Sequence, residues 1–584
     1  MASRQSQPCS VQSRVRLWLG AVLLACALTG CTTLREYCEN GLKVGPNYAR
    51  PPAPVASQWV DQSDSRVRTD PDEHRQWWKV FNDPVLDDLI CAAYHQNLEL
   101  RQQSFRVLEL EAILGTVIGR LFPQQQSMQG GYQRVGLSQA VANRQGIIQR
   151  FYSQWAYGVG LAWEIDLWGK YRRNIESFEG ELNAGIEEYD DILVKLLGDV
   201  ATTYNQYRVL DTQLALVRAN VELQRETLKI AQARFRGGLV SELDVDQSES
   251  ILQQTLAMIP QLEIELRIAQ NHLCVLMGIP VEDLAQRLGR KAIATTAPEV
   301  ILGVPAELLK RRPDVRRAER EAAARCARIG IAESEWYPAV TISGTIGYQA
   351  EFFPNLFDTK ALEGVVGPAF HWNILHYGRI ANNVLRTEAN FQRAVVHYQN
   401  TVLKANEDVE NAVVRFLKSQ QKARELAKSV QAAEKAVRIA LAQYRSGQVD
   451  FNRVSLLEQN LVQQQVLEAQ ARGEIVTGLI GIYRSLGGGW QVRLDGCATC
   501  SGGLSPHVAP QEKLTGDKEN FVPQPRPDQD DKAKPSNGDN KNNTPEKRDD
   551  DKNKNDSQKS ENKAVQMMEE KVIPTRLPPR AALR

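Results

Sequence analysis

Residues 170–236, KYRRNIESFEGELNAGIEEYDDILVKLLGDVATTYNQYRVLDTQLALVRANVELQRETLKIAQARFR, contain no proline and place apolar side chains at alternating steps of about three and four. The series is Leu182, Ile186, Tyr189, Leu193, Leu196, Val200, Tyr207, Leu210, Leu214, Val217, Val221, Leu228 and Phe235. Such a series is the seam of a helix in a long helical assembly, not the stripe of an ordinary globular helix. At 1.5 Å per residue the run spans roughly 100 Å, wider than one globular core.

Residues 379–445 form a second run, free of both proline and glycine. Its seam is Phe391, Val395, Tyr398, Val402, Ala405, Val409, Phe416, Leu426, Val430, Val437 and Tyr444, each 209 positions after a member of the first. The same offset pairs Gly169 with Gly378, Gly238 with Gly447, Gly278 with Gly487, and even the polar Glu179 with Glu388. An ungapped offset over more than a hundred residues predicts internal duplication.

The repeat reads as one elongated unit with tails, although 584 residues could hold several domains. A net charge of +1 without a long basic stripe gives no reason to expect nucleic acid. The first thirty residues read as an export signal: Arg4, Arg14 and Arg16, then an apolar core from Leu17 to Ala27 too short for a stable membrane anchor. Leu28-Thr29-Gly30-Cys31 resembles the bacterial lipobox. Cleavage before Cys31 would leave a cysteine carrying several acyl chains, enough for stable anchoring. Thr32 follows where an inner-membrane-retaining aspartate would otherwise stand, which implies the outer membrane.

Val44-Gly45-Pro46-Asn47-Tyr48 and Pro51-Pro52-Ala53-Pro54 read as an extended arm, closed by Trp77-Trp78 and Phe81-Asn82-Asp83-Pro84. A helix is predicted from Pro84 to about Arg120, and its counterpart from Ala306 to about Glu335, interrupted at Pro313. Strands lie between these helices and the long ones. From Phe151 to Leu167 large apolar residues alternate with small or polar ones, and Val340, Ile342, Ile346 and Tyr348 repeat the pattern. Leu362, Val366, Phe370, Trp372 and Ile374 make a further set, and residues 124–137 the weakest. These runs reach the roughly 9–11 residues of a tilted membrane strand, with aromatics near both ends of the apolar face. Four strands cannot close a membrane barrel, which needs at least about eight, and an open edge in hydrocarbon leaves unpaired backbone groups. A trimer would supply twelve strands and give the long helices partners.

Each long helix is followed by a turn and a returning helix. The turns are Arg236-Gly237-Gly238-Leu239-Val240-Ser241 and Arg445-Ser446-Gly447-Gln448-Val449-Asp450. Gly238 and Gly447 suit helix stops, Ser241 and Asp450 suit N-caps. The returns end at Gly278 and Gly487. From about Leu504 the chain is too polar to bury a core and is predicted disordered.

Leu309-Lys310-Arg311-Arg312-Pro313-Asp314-Val315, followed by Ala318-Glu319 and Ala327-Arg328-Ile329-Gly330-Ile331-Ala332, is similar to a signature of TolC-like outer-membrane efflux proteins. The lipobox, the Val44–Tyr48 motif and Trp77-Trp78 resemble the NodT-type lipoprotein branch that serves resistance-nodulation-division pumps. Resemblance covers about residues 31–490. It implies a mixed α and β membrane protein: a trimeric 12-stranded β-barrel continuous with a 12-helix periplasmic α-barrel, two tandem repeats per chain. The divisions expected are signal 1–30, lipidated arm 31–84, first repeat 85–280, linker 281–304, second repeat 305–490 and tail 491–584. The resemblance implies a homotrimer in outer-membrane lipid, with the two turns facing a periplasmic adaptor bound to an inner-membrane pump. Many members carry an aspartate where Arg453 to Leu456 lie here, so the gate is expected to involve Asp244, Asp246, Arg453 and Glu458.

No phosphate-cradling Gly-x-x-x-x-Gly-Lys-Ser/Thr occurs, so energy must come from a partner. Cys497 and Cys500 lack a second ligand pair, His371 and His376 lack metal spacing, and no catalytic pair is visible. The chain is expected to be no enzyme and to need no cofactor. The function predicted is passive export of small toxic compounds. The alternatives are a duct for secreted polypeptides and a structural coiled coil spanning the periplasm.

Overall fold

The computed structural model describes residues 34–68, 75–138, 140, 149–303 and 305–495. The signal segment, Cys31, Cys497, Cys500 and the polar tail beyond residue 495 lie outside them. In chain order the elements are α1 Leu34–Glu39, β1 Val67–Arg68, α2 Pro84–Gln96, α3 Leu98–Gly119, β2 Gln125–Gly136, β3 Phe151–Ile165, α4 Lys170–Arg236 and α5 Glu242–Leu276. There follow α6 Ala285–Leu288, β4 Val300–Ile301, α7 Leu308–Arg311, α8 Pro313–Ser334, β5 Ala339–Ala350, β6 Leu362–His371, α9 Arg379–Arg445, α10 Phe451–Ser485 and α11 Val492–Asp495.

The long helices α4 and α9 are each 67 residues, and the returns α5 and α10 each 35, with all four bounds 209 positions apart. On α4 the predicted seam is buried from Leu182 to Val221, while Leu228 is half-buried and Phe235 exposed near the free end. Burying a Leu or Val in this way stabilises by about 1.5–3 kcal/mol, and such packing, more than intrinsic propensity, holds the long helices in place. Contacts order the helices into four columns: α3 and α5, then α4, then α8 and α10, then α9. The central α4 is covered on both sides. On the outer columns, Leu385, Val396, Leu403 and Ile439 of α9 and Ile264, Ile268 and Val275 of α5 remain exposed.

Several boundaries differ from the sequence reading, among them the last strand, which ends at His371, before Trp372 and Ile374. The helix expected from Pro84 to Arg120 breaks at Asn97, whose backbone is extended and whose side chain accepts from the Leu100 amide at 2.8 Å. An N-cap asparagine thus starts a second helix. At the other end the fold continues past Trp490: Val492 and Arg493 of α11 are buried. Ser241 makes no side-chain cap bond, whereas Asp450 accepts from the Arg453 amide at 3.3 Å. Pro313 does separate a short helix from a long one.

The four long strands form one antiparallel sheet in the order β2-β3-β5-β6. Its register stacks Met128, Val159, Ile346 and Gly364 in one row and Tyr132, Trp155 and Ala350 in another. On that face lie also Leu161, Ile342, Val366 and Phe370. The opposite face is mostly small or polar, with Ser127, Gln129, Gln154, Ala156, Gly160, Ser343, Thr345 and Gly367, and Val135 and Val365 as apolar exceptions. Two aromatic levels bracket the apolar rows. Tyr132 lies 4.5 Å from Trp155, and Tyr157 stacks on Tyr348 at 5.2 Å. Nearer the helices, the indoles of Trp163, Trp168 and Trp372 donate to the carbonyls of Leu121, Pro338 and Trp336. From Trp155 to Trp163 the strand rises about 27 Å, roughly 20 Å of depth when tilted ~45°, close to the apolar band of a membrane barrel. Among the described residues no helix is long and apolar enough to cross a membrane.

The arm runs along the helices and joins two motifs that are distant in sequence. Gly45 has φ +84, and a Cβ there would lie 2.4 Å from the Gly330 Cα. A Cβ on Gly330 would lie 2.6 Å from the Val44 carbonyl oxygen. The buried Arg173 donates to the carbonyls of Val44 at 3.0 Å and Gly45 at 2.7 Å. Two glycines are therefore required for one backbone-to-backbone approach. Gly330→Val is expected to cost about 1–3 kcal/mol by overpacking and to lift the arm. Limited proteolysis checks it, as faster cleavage within residues 45–56.

Candidate functional site

Both long helices stop by the same local chemistry. The Leu239 amide donates to the Arg234 carbonyl at 2.9 Å and Gly238 to Phe235 at 2.9 Å; Gln448 donates to Gln443 at 2.9 Å and Gly447 to Tyr444 at 3.0 Å. Gly238 and Gly447 take the left-handed backbone (φ 69 and 78) that such stops need and that a side chain disfavours. Arg236, Gly237, Gly238, Leu239 and Ser241 of the first turn are exposed, as are Arg445, Ser446, Gly447, Gln448 and Asp450 of the second. Val240 and Val449 are half-buried.

The two turns form one tip. Tyr444, Phe451, Val454, Leu441 and Ile251 make an apolar cluster against which Val240 and Val449 pack. The Arg234 guanidinium lies 4.5 Å above the Tyr444 ring and donates to the Tyr444 carbonyl. The Tyr444 hydroxyl donates to Asp244 at 3.1 Å; burial first, then the Asp244 charge, push its pKa up to about 12. Sequence reading missed Arg234 and Tyr444 as the residues that join the turns.

The predicted gate residues do not meet within one chain. Asp244 is held by Tyr444, Asp246 is exposed, and Arg453 is exposed with no ion pair among the described residues. Glu458 points inward, only 2% exposed, and accepts from the Thr227 hydroxyl at 2.7 Å. It belongs to a polar stripe along the α4–α10 seam. Gln213 donates to the Val466 carbonyl at 3.2 Å, Asn220 donates to Gln465 at 2.7 Å, and the buried Gln224 amide finds no partner among the described residues. Burial pushes the Glu458 pKa up, and the Thr227 hydrogen bond opposes this. Among the described residues no cation compensates the carboxylate.

Above the tip, the Arg-Arg-Pro-Asp signature has a structural task. Arg312 grips Asp314 with two donors at 3.0 and 2.7 Å and donates at 2.8 Å to the Ser485 carbonyl at the end of α10. It also reaches Asp408 of α9 at 3.1 Å, so one guanidinium ties α8, α9 and α10.

The sequence pattern of the family described as outer membrane efflux protein matches residues 89–279 and again residues 304–488. The chain belongs to this outer membrane efflux protein family. It is 30% identical to a nodulation protein T of Rhizobium leguminosarum bv. trifolii over 416 residues, covering 70% of this chain and 86% of the relative. It is 27% identical over 491 residues to the outer membrane protein OprJ of Pseudomonas aeruginosa, covering 81% and 96%. The solved outer-membrane channel OprN superposes with a TM-score of 0.72 at 28% identity, covering 77% of this chain and 99% of that one.

This efflux protein is thus an outer-membrane channel component with a large periplasmic part, of the TolC-like fold. For such a channel the α4–α10 stripe is a seam with a pH-dependent strength. Because the folded carboxyl of Glu458 has a raised pKa, its stabilising contribution is complete below the ordinary carboxyl range of about 4.3 and falls as pH rises towards the raised value. Hydrogen-exchange protection of the segments around Thr227 and Glu458 should therefore drop as pH rises above the ordinary carboxyl range. In Glu458→Gln that drop should vanish.

Proposed function

We propose that three copies of this chain close one continuous duct, and that each chain is two tandem copies of a helix–strand–helix unit. The reading is carried by the sheet: four strands alternate in direction, so β2 and β6 run oppositely, and both are edges exposed along nearly their whole length. The β6 of one copy can then pair antiparallel with the β2 of the next. Twelve strands close without an edge, apolar face to lipid and polar face to the lumen. The exposed apolar side chains on the outer columns, α9 and α5, become neighbours in the same ring and give a twelve-helix tunnel.

Cys31 carries the lipid anchor. α1 begins three residues later and lays Tyr37 against Trp168, with its hydroxyl on the Leu167 carbonyl at 2.7 Å, at the aromatic level nearer the helices. The paired turns, residues 236–241 and 445–450, dock on a periplasmic adaptor fed by an inner-membrane pump of the resistance-nodulation-division type. The cargo is small toxic compounds, moved passively. Arg453, which makes no ion pair among the described residues, bridges to Asp244 or Asp246 of a neighbouring copy and helps hold the tip shut. Arg453→Ala should raise the entry of large antibiotics into cells; unchanged sensitivity contradicts this gate. The duct itself is tested in a planar bilayer. Discrete conductance steps are expected from the purified chain, and none would be seen for a merely structural envelope protein.

A further inference from the structure

The chain has two strand-to-helix junctions, one in each half. Gly169 and Gly378 occupy the same place before α4 and α9, with φ 78 and 81. The junctions leave the sheet at one level, since Ile165 of β3 and Phe370 of β6 flank the same residue, Val340. Their covering differs. The first is wrapped by the chain's own amino-terminal segment: Tyr37 packs on Trp168, the Val44 amide donates to the Trp168 carbonyl at 3.0 Å, and Arg172 donates to the carbonyls of Gly41 and Leu42. Among the described residues the second has no such wrap. Ile374 is 74% exposed, Leu375 78% and Tyr377 94%.

We propose that residues 374–377 are a phospholipid contact, seated in the periplasmic leaflet of the outer membrane. Three observations select lipid as the occupant. The patch continues the exposed apolar face of β6 through Val366 and Phe370. It begins at the level of the junction covered by α1, the helix that starts three residues after the acyl-bearing Cys31 and so marks where the leaflet lies. Tyr377 has φ 47, a costly backbone for a tyrosine, and directs its ring away from the fold, as interfacial anchors are placed. The nearby Arg379 is already paired with Glu335 at 3.1 Å, so the contact engages the apolar and glycerol region of the lipid rather than a phosphate. Asymmetry between the halves then has a purpose: one junction is held by lipid attached covalently, the other by lipid bound from the bilayer.

The proposal rests on the membrane-barrel reading, and the test separates the two. The photoreactive p-benzoylphenylalanine is placed at positions 377 and 375 of the full chain in intact outer membranes, with position 370 as the lipid-facing control and position 453 as the aqueous one. After illumination, mass spectrometry identifies what is attached. Phospholipid adducts at 377 and 375, at yields like those at 370 and absent at 453, are expected. Cross-links to a second copy of the chain, or no adduct while 370 yields lipid, overturn the lipid contact alone. No lipid at 370 overturns the barrel reading itself.

Discussion

Arg493→Ala is expected to cost about 3–5 kcal/mol and to deplete folded channel from the outer membrane, because it strands a buried charge. Arg493 holds Asp190 with donors at 2.7 and 3.0 Å, and Asp190 is wholly buried. The other cation at that carboxylate, Arg316, is 3.3 Å away, shared with Glu187 and lying 4.3 Å over the Trp490 ring. Removing both charges should hurt less than removing one, since a buried pair gains little net energy over apolar side chains of similar size. Arg493→Leu combined with Asp190→Leu is thus expected to recover part of the heat-denaturation midpoint lost in Arg493→Ala. A milder Arg493→Ala than double variant would contradict the assignment.

Tyr444→Ala should act at the tip and leave the packing around Asp190 and Arg493 intact. Its ring is fully buried in the tip cluster, under Arg234 and against Phe451 at 5.5 Å. Truncating a buried aromatic costs about 3–5 kcal/mol, here borne by the turns alone. Faster hydrogen exchange confined to residues 234–250 and 443–455, with greater sensitivity to large antibiotics, is the expected result. A uniform loss of protection throughout α4 and α9 would show that the tip is not a separate unit.

The long helices and their stops were legible because they depend on local physics: a periodic seam, absent prolines and glycines free to adopt positive φ. The alternating strands were legible for the same reason. Asn97 was not, because a single capping residue inside an apolar run looks like one more polar face position. The polar stripe from Gln213 to Thr227 follows seam spacing, yet polar residues there read as interruptions rather than as partners for α10. Arg234 meets the Tyr444 carbonyl, and Gly45 meets Gly330, only after folding joins distant segments. Nothing within either stretch encodes its partner. Arg493 lay beyond the last apolar period, on a four-residue helix that has no period of its own.

The central claim is that an incomplete wall becomes a tube when copies meet along β2 and β6. Native mass spectrometry of the detergent-extracted, lipidated chain tests it most directly. A single species of three copies is predicted; a particle of one or two copies with its sheet intact would contradict the account.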